Sequence, residues 1–421
     1  MTQRPRLLTL MGSGETAPTM AKVHRLLVGR LGPPPVDVVL LDTPYGFQEN
    51  ADEISRRAVG YLERNLGMPP RVASWRNPAS ELWLREQALS LIRAADLVFA
   101  GPGSPTYALR VWKGGDLRDL LAGNLARGGC VTFGSAAAAC LGIATVPVYE
   151  FYKVGADPHW VEGLDLLAVL GLQAAVIPHF DNAEGGTHDT RFCYLGERRL
   201  QAMERMGDVT TFVLGIDEHT AGVFDLDADT LTVLGRGGVT VRHHGVSTVF
   251  GTGITVGMDQ VRAAAAGERP VAVTAQGGVQ GSGAGPEVPS LLSLHAEMQR
   301  LEGAFDAGLG SRDVATAVTA VLELEQTIVD WSADTEEEDS SHAPRAVLRR
   351  MVLRLGELAA VGLRDPTELI APLVDTLVEI RDRARAQRSW SLADELRERL
   401  TMAGVTVRDT PTGTVWELTS H

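Results

Sequence analysis

A serine, a histidine and a glutamate stand where three apolar runs stop. Ser135 ends VTFGS and opens a run of small residues (AAAACLG). His179 follows AAVIP, and Glu218 follows FVLGID. A serine hydroxyl becomes a nucleophile when a base takes its proton, and the base needs a carboxylate to hold its tautomer and orientation. A Gly-Ser pair at a sharp strand-to-helix turn would expose the hydroxyl. It would also aim the next backbone N–H groups, helped by the helix dipole, at a developing oxyanion. Each residue alone has a plainer reading. Gly-Ser-Ala also suits a close-packed junction, a lone histidine a satisfied rim or core position, and a lone loop glutamate a solvated one.

The elements that would carry these residues are legible as short apolar runs. Strands are expected at 6–11, 36–41, 71–75, 96–100, 129–133, 174–178 and 211–216, with helical spacing between them, as in SELWLREQALSLIRAA at 80–95. Strands alternating with helices predict a mostly parallel sheet sandwiched by helices. Ligands of such sheets bind at the carboxyl ends of strands, where Ser135, His179 and Glu218 all fall. TLTVL (230–234) and 238–241 alternate and suggest an antiparallel extension, with 248–250 near its edge. The stretch 263–290, rich in Ala, Gly, Pro and Gln, reads as a linker. Amphipathic helices are expected at 291–307, 313–331, 346–362, 369–387 and 392–403. Ser391 with Asp394 would cap the last helix and Gly404 would stop it. A hairpin is expected from 405–407 and 415–416.

Composition bounds the partners. The 421 residues carry a net charge of −14, with 44% hydrophobic and 22% charged residues, which describes a globular chain. An acidic chain is not a general nucleic-acid coat. Three cysteines (Cys130, Cys140, Cys193) without paired spacing form neither a disulfide framework nor a zinc cage and fit a reducing cytoplasm. The N-terminus lacks a signal-peptide pattern and no run is long enough to span a membrane, so a cytoplasmic location is expected. No metal site and no cofactor are expected, since a triad needs none and no phosphate-cradling Gly-Lys-Ser/Thr loop occurs. Gly12-Ser13-Gly14 suits either an anion site or a tight turn. A homodimer is compatible with the sequence.

Five segments in order resemble dipeptidase E and the cyanophycinases. They are GSGE (12–15), FAGPGSPTYAL (99–109), FGSAAA (133–138), PHFDNAEGGTHDTR (178–191) and GIDEHTA (215–221). The resemblance spans roughly residues 5–260. It implies a class I glutamine-amidotransferase-like, flavodoxin-like three-layer α/β domain and a serine peptidase acting on small acidic, aspartyl-type peptides. It further implies Ser135 as nucleophile, His179 as base and Glu218 as orienting acid. Gly103 and Ala136 would form the oxyanion hole, and Asp181, Thr190 and Arg191 a substrate-binding stretch beside Gly185-Gly186. Arg191 suits a substrate carboxylate or a structural salt bridge equally. Two segments depart from the family. The elbow reads Ser135-Ala136-Ala137 instead of Ser-Ala-Gly, and Gly101-Pro102-Gly103-Ser104 replaces an Asn-containing form. A non-catalytic member of the fold therefore stays open.

The other end, 380–418, resembles the C-terminal part of bacterial cysteinyl-tRNA synthetases, and the helices before it more loosely resemble that enzyme's anticodon-binding domain. The expected domains are 1–262, the linker 263–290, a helical domain 291–370 and a synthetase-like subdomain 371–421. HIGH and KMSKS signatures are missing, so an active synthetase is not expected. A tRNA-associated role, with or without hydrolysis of an aminoacyl or peptidyl linkage, remains the alternative. Residues 289–421 contain 14 Arg, no Lys and 23 Asp or Glu, a net charge of −9. Arg381, Arg383, Arg385 and Arg388 could still form a local basic stripe, with Trp390 or Trp416 stacking on a base. Otherwise the arginines are solvated and the tryptophans fill a small core.

Overall fold

The computed structural model describes residues 4–113, 116–183, 188–206, 212–268, 294–331, 342–362, 365–411 and 413–419. Gly185 and Gly186 and most of the expected linker lie outside them. The chain divides into two compact units, Met1–Arg345 and Ala346–His421.

The first unit is built on buried strands. These are β1 (Leu7–Met11), β2 (Val38–Leu41), β3 (Arg71–Ala73), β4 (Leu97–Ala100) and β5 (Cys130–Gly134), followed by the short β6 (Ala144–Thr145) and β7 (Val161–Glu162). Then come β8 (Ala174–Ile177), β9 (Phe212–Ile216), β10 (Thr220–Asp225), β11 (Thr230–Gly235), β12 (Gly238–His243), β13 (Val246–Gly251) and β14 (Thr255–Gly257). They form two sheets, with orders β14-β11-β10-β1-β5-β4-β2-β3 and β13-β12-β9-β8-β6-β7. The expected parallel core is present. β1, β5, β4, β2 and β3 run parallel in one sheet, as do β6, β8 and β9 in the other. The expected antiparallel extension is β11, β12 and β13, with β13 an edge strand. It is divided between the sheets. β10, which pairs antiparallel with both β1 and β11, has no counterpart in the sequence reading.

Covering helices explain why these strands read as continuous apolar runs. Every residue of β1 is buried. Leu8 and Leu10 pack on one face with Ala88, Leu89 and Ile92 of α3 (Leu82–Ala94) and Leu121 of α5 (Leu117–Ala126). Leu7 and Met11 pack on the other face with Leu27 of α1 (Ala21–Leu31) and Tyr61 of α2 (Ala51–Leu66). Fully burying a leucine side chain contributes about 2 kcal/mol, so the first sheet is clamped from both sides. α4 (Pro105–Trp112) starts with Pro105 after Ser104, whose Oγ accepts the Tyr107 N–H at 3.2 Å. α6 (Ser135–Ala139), α7 (Gly196–Glu204) and α8 (Met258–Ala265) follow. So does an antiparallel helical pair within the same unit, α9 (Leu294–Ser311) and α10 (Val314–Trp331).

The second unit contains most of α11 (His342–Gly362), then α12 (Pro366–Ala386), α13 (Trp390–Met402) and the hairpin β15 (Val405–Thr410) and β16 (Gly413–Leu418). Gly404, at φ 79°, ends α13 as expected. The expected cap does not form: α13 begins at Trp390, which puts Ser391 inside the helix. Trp416 joins a small core of Val374, Val378, Leu400, Val405 and Val407 and donates its indole N–H to Asp375 at 2.7 Å.

One ion-pair network braces the region carrying His179. Arg242 on β12, 4% exposed, binds Glu197 at 2.7 Å and Glu204 at 2.9 Å, both on α7. Its guanidinium also lies 5.4 Å from the centre of the Phe192 ring. Removing one member of a buried pair costs about 3 kcal/mol or more, because the remaining charge is stranded. Arg242→Ala is expected to lower unfolding free energy by about that amount, read from the urea midpoint.

Candidate active site

Three strand ends from two sheets meet at the site. Ser135 leaves β5 as the first residue of α6, at φ 47° and 6% exposed. His179 leaves β8 at φ 48°. Glu218 follows β9 and precedes His219, at φ 51°. Left-handed backbone costs a non-glycine residue about 1–2 kcal/mol, and such residues persist where their surroundings over-determine them. Here the surroundings are visible. The His179 N–H donates to Gly12 O at 3.3 Å, Phe180 N–H to Ile216 O at 3.1 Å, and Gly12 N–H to Thr220 O at 2.9 Å. Only glycine fits at position 12, because a Cβ would stand 2.1 Å from the Asp217 carbonyl oxygen. Phe192, Cys193 and Tyr194 are also left-handed (φ 62°, 54° and 65°), and Phe192 N–H and Cys193 N–H bind the carbonyls of Phe180 and His179.

These constraints align the side chains. Ser135 Oγ lies 3.0 Å from His179 Nε2, and His179 Nδ1 lies 2.9 Å from Glu218 Oε1. If Nδ1 carries the ring proton, Nε2 is left as acceptor for the serine hydroxyl, which is the tautomer a general base requires. Asn182, 1% exposed, was not singled out from the sequence, yet its Nδ2 donates to the same Glu218 Oε1 at 3.2 Å. Its place in HFDN, three residues past the histidine, was the available signal. Ala136, second in α6, has an N–H at the helix start, where no intrahelical acceptor exists. Gly103 follows β4, the parallel neighbour of β5, and Ala137 N–H to Gly101 O at 3.3 Å ties that segment to α6. The methyl of Ala137 is fully buried in the main core, so the extra carbon of this elbow is accommodated inward.

The three residues expected to bind substrate each have a partner within the chain. Arg191 is engaged by Asp189, with Nε and Nη2 at 2.9 and 2.8 Å from its two carboxylate oxygens, which is the salt-bridge alternative. Thr190 is buried, its hydroxyl 3.5 Å from Asn182 O. Asp181 is exposed, and its Oδ1 accepts the Glu218 N–H at 2.7 Å, so it supports the Glu218 backbone. Gly12-Ser13-Gly14 forms the tight turn, with Ser13 Oγ accepting the His219 N–H at 3.1 Å. Cys130 and Cys140 are buried, and burial pushes the Cys130 thiol up to about 11, so these cysteines do not compete as nucleophiles. Among the described residues no group of three His, Cys, Asp or Glu could hold a metal ion.

Comparisons with known proteins divide along the chain. The family model described as "Cysteinyl-tRNA ligase anticodon binding domain" matches residues 368–416. The cysteine–tRNA ligase of Moorella thermoacetica is 28% identical over 142 residues, which is 32% of this chain and 30% of the ligase. The chain thus spans under a third of that relative's length. Among solved structures, a peptidase from an acI-B1 Actinobacterium aligns over 61% of this chain and 98% of its own, at 21% identity and TM-score 0.48. A candidate peptidase E protein from Listeria monocytogenes EGD-e aligns over 55% of this chain and 98% of its own, at 14% identity and TM-score 0.39. The tRNA ligase family match falls near the C-terminal end of the chain, at 368–416.

Carboxylates crowd the end of β9. Burial pushes Asp217 up to about 6, with Asp181 and Glu218 adding to the rise and the Gly238 N–H, 2.7 Å from Oδ2, opposing it. Although Asp181 as a residue is exposed, loss of hydration around its carboxyl raises it too, with the Glu218 charge adding to the rise. A carboxyl whose folded pKa is raised binds more protons folded than unfolded between the two values. Its ionisation therefore costs stability as pH rises from about 4 to about 6. Asp217→Asn is expected to leave stability at pH 4 nearly unchanged and to raise it at pH 7.5 by about 1 kcal/mol, after solvent screening is allowed for. Paired urea titrations at the two pH values read the difference.

Proposed function

We propose that the first unit is a serine hydrolase, with Ser135 as nucleophile, His179 as general base and Glu218 as the acid that orients it. The observation carrying this reading is the continuous relay of 3.0 and 2.9 Å contacts from Ser135 through His179 to Glu218. In the acylation step, Ser135 Oγ attacks a carbonyl carbon as its proton passes to His179 Nε2. The tetrahedral oxyanion is taken up by the Ala136 N–H at the start of α6 and by the Gly103 segment. His179 returns the proton to the leaving group, and water, activated the same way, releases the acyl group. Motif resemblance to dipeptidase E and the cyanophycinases supports a peptidase acting on small acidic, aspartyl-type substrates. With Arg191 already held by Asp189, a substrate carboxylate would compete for that guanidinium.

A fluorophosphonate probe tests the reading. Wild type is expected to label at one serine, Ser135→Ala to lose all labelling, and His179→Ala to label at least about a thousandfold more slowly. Aspartyl and isoaspartyl dipeptides are then expected to turn over faster than neutral ones. An unlabelled, folded wild type would overturn the reading.

A second reading, tRNA association, rests on the family match at 368–416. Two of the four arginines in the basic stripe are neutralised. Arg381 is 4% exposed and binds Asp409 at 2.8 and 2.9 Å, and Arg385 also pairs with Asp409. Arg383 and Arg388 remain exposed, beside Trp390 at 57%. If the tail binds tRNA, Arg388→Ala and Trp390→Ala are each expected to weaken binding about tenfold in filter assays, and the arginine change to flatten the salt dependence.

A further inference from the structure

The helical pair α9–α10 lies beyond the stretch that carries the hydrolase motifs, yet its open end meets the turn that holds the Glu218 arm. The pair is a unit of its own packing. Leu294, Met298, Leu301, Phe305 and Gly308 of α9 are buried, as are Ala317, Ala320, Leu324 and Trp331 of α10, at three-, four- and seven-residue intervals. Arg300 pairs with Glu323 across it at 3.3 Å. Its first and last residues, Leu294 and Trp331, leave that seam and form a buried cluster with Ala17, at 2%, 6% and 0% exposure. The Trp331 and His219 rings also pack edge-to-face, with centroids 5.5 Å apart and planes at 73°. All of these residues belong to the first compact unit.

His219 is held from its other sides by the segment 13–19 that follows β1. Its Nδ1 lies 3.0 Å from Thr19 Oγ1 and its N–H binds Ser13 Oγ. Gly14, at φ 64°, has no room for a Cβ, which would stand 2.1 Å from His219 Nδ1. The imidazole is thus a wedge between the turn after β1 and the end of α10. Its own backbone is left-handed, so the ring's position and the direction of the preceding peptide are tied together. That peptide carries Glu218, whose carboxylate meets His179 Nδ1.

We propose that Trp331 is a positioning residue for the Glu218 arm of the relay, acting through His219, and that the α9–α10 pair is thereby an integral part of the hydrolytic unit. This rests on the hydrolase reading for its catalytic consequence, but not for its structural one. The full chain is used, with Trp331→Ala, Trp331→Phe and, as a control on the same helix, the exposed Leu322→Ala. Hydrogen exchange by mass spectrometry is expected to show, for Trp331→Ala, at least about tenfold faster exchange in peptides covering 12–17 and 217–220. Exchange in β4 and β5 should be unchanged, Trp331→Phe should restore slow exchange, and Leu322→Ala should match wild type. Fluorophosphonate labelling of Trp331→Ala should lose about tenfold in maximal rate with little change in probe concentration at half-saturation. Unchanged exchange at 217–220 overturns the proposal, as does acceleration spread evenly over the unit. Faster local exchange with undiminished labelling overturns the catalytic consequence alone. A wild type that does not label overturns the hydrolase reading, and the exchange result still decides whether Trp331 holds the loop.

Discussion

The relay depends on backbone bent the wrong way for ordinary residues. Ser135, His179 and His219 are all left-handed, and the strands that deliver them end in two different sheets. At His179 this backbone strain, about 1–2 kcal/mol, is held in place by backbone hydrogen bonds to Gly12, Ile216 and the left-handed turn at 192–194. Those contacts in turn rest on sheets clamped by helices and on the buried Arg242 network.

The turn after β1 is the joint between the two sheets. β1 lies at the centre of the larger sheet, and Gly12, the residue after it, receives the His179 N–H from the end of β8 and gives its own N–H to the start of β10. Ser13 and Gly14 hold and accommodate His219. Glu15 is buried where any Cβ at Gly101 or Gly134 would approach its carboxylate within about 3 Å. The four residues 12–15 therefore touch Gly134 at the Ser135 elbow, His179 and the loop carrying Glu218, which gives the GSGE segment a structural reason.

The C-terminal similarity meets a different physical outcome. The arginine-rich stretch 381–388, at the end of α12 and just beyond it, looks like a cationic stripe in one dimension. In three, Asp409 of β15 faces it and takes two of the four guanidinium groups, while Trp416 is committed to the small core. What remains exposed of that stripe is Arg383 and Arg388, with Trp390 shortly after them in the chain, on a unit whose 11 arginines are matched by 11 Asp and Glu.

Much of the site was legible because its residues end apolar runs. VTFGS, AAVIPH and FVLGIDE each announce a buried strand followed by a polar residue, and burial on both faces makes such runs unambiguous. The first and second members of α6, the segment after β4 and the helices of both ends follow from the same local patterns. What the sequence could not decide was pairing. The split into two sheets and the insertion of β10 beside β1 depend on hydrogen bonds between residues some two hundred positions apart. Which partner Arg191, Arg381 and Asp181 would choose was equally closed to it, since a charge has many acceptors until the fold brings one within 3 Å. Asn182 and Trp331 make the same point. Nothing local marks a buried asparagine as a carboxylate's partner, or the last residue of a distant helix as the wall behind His219, because both roles are created by proximity and only the folded chain supplies it.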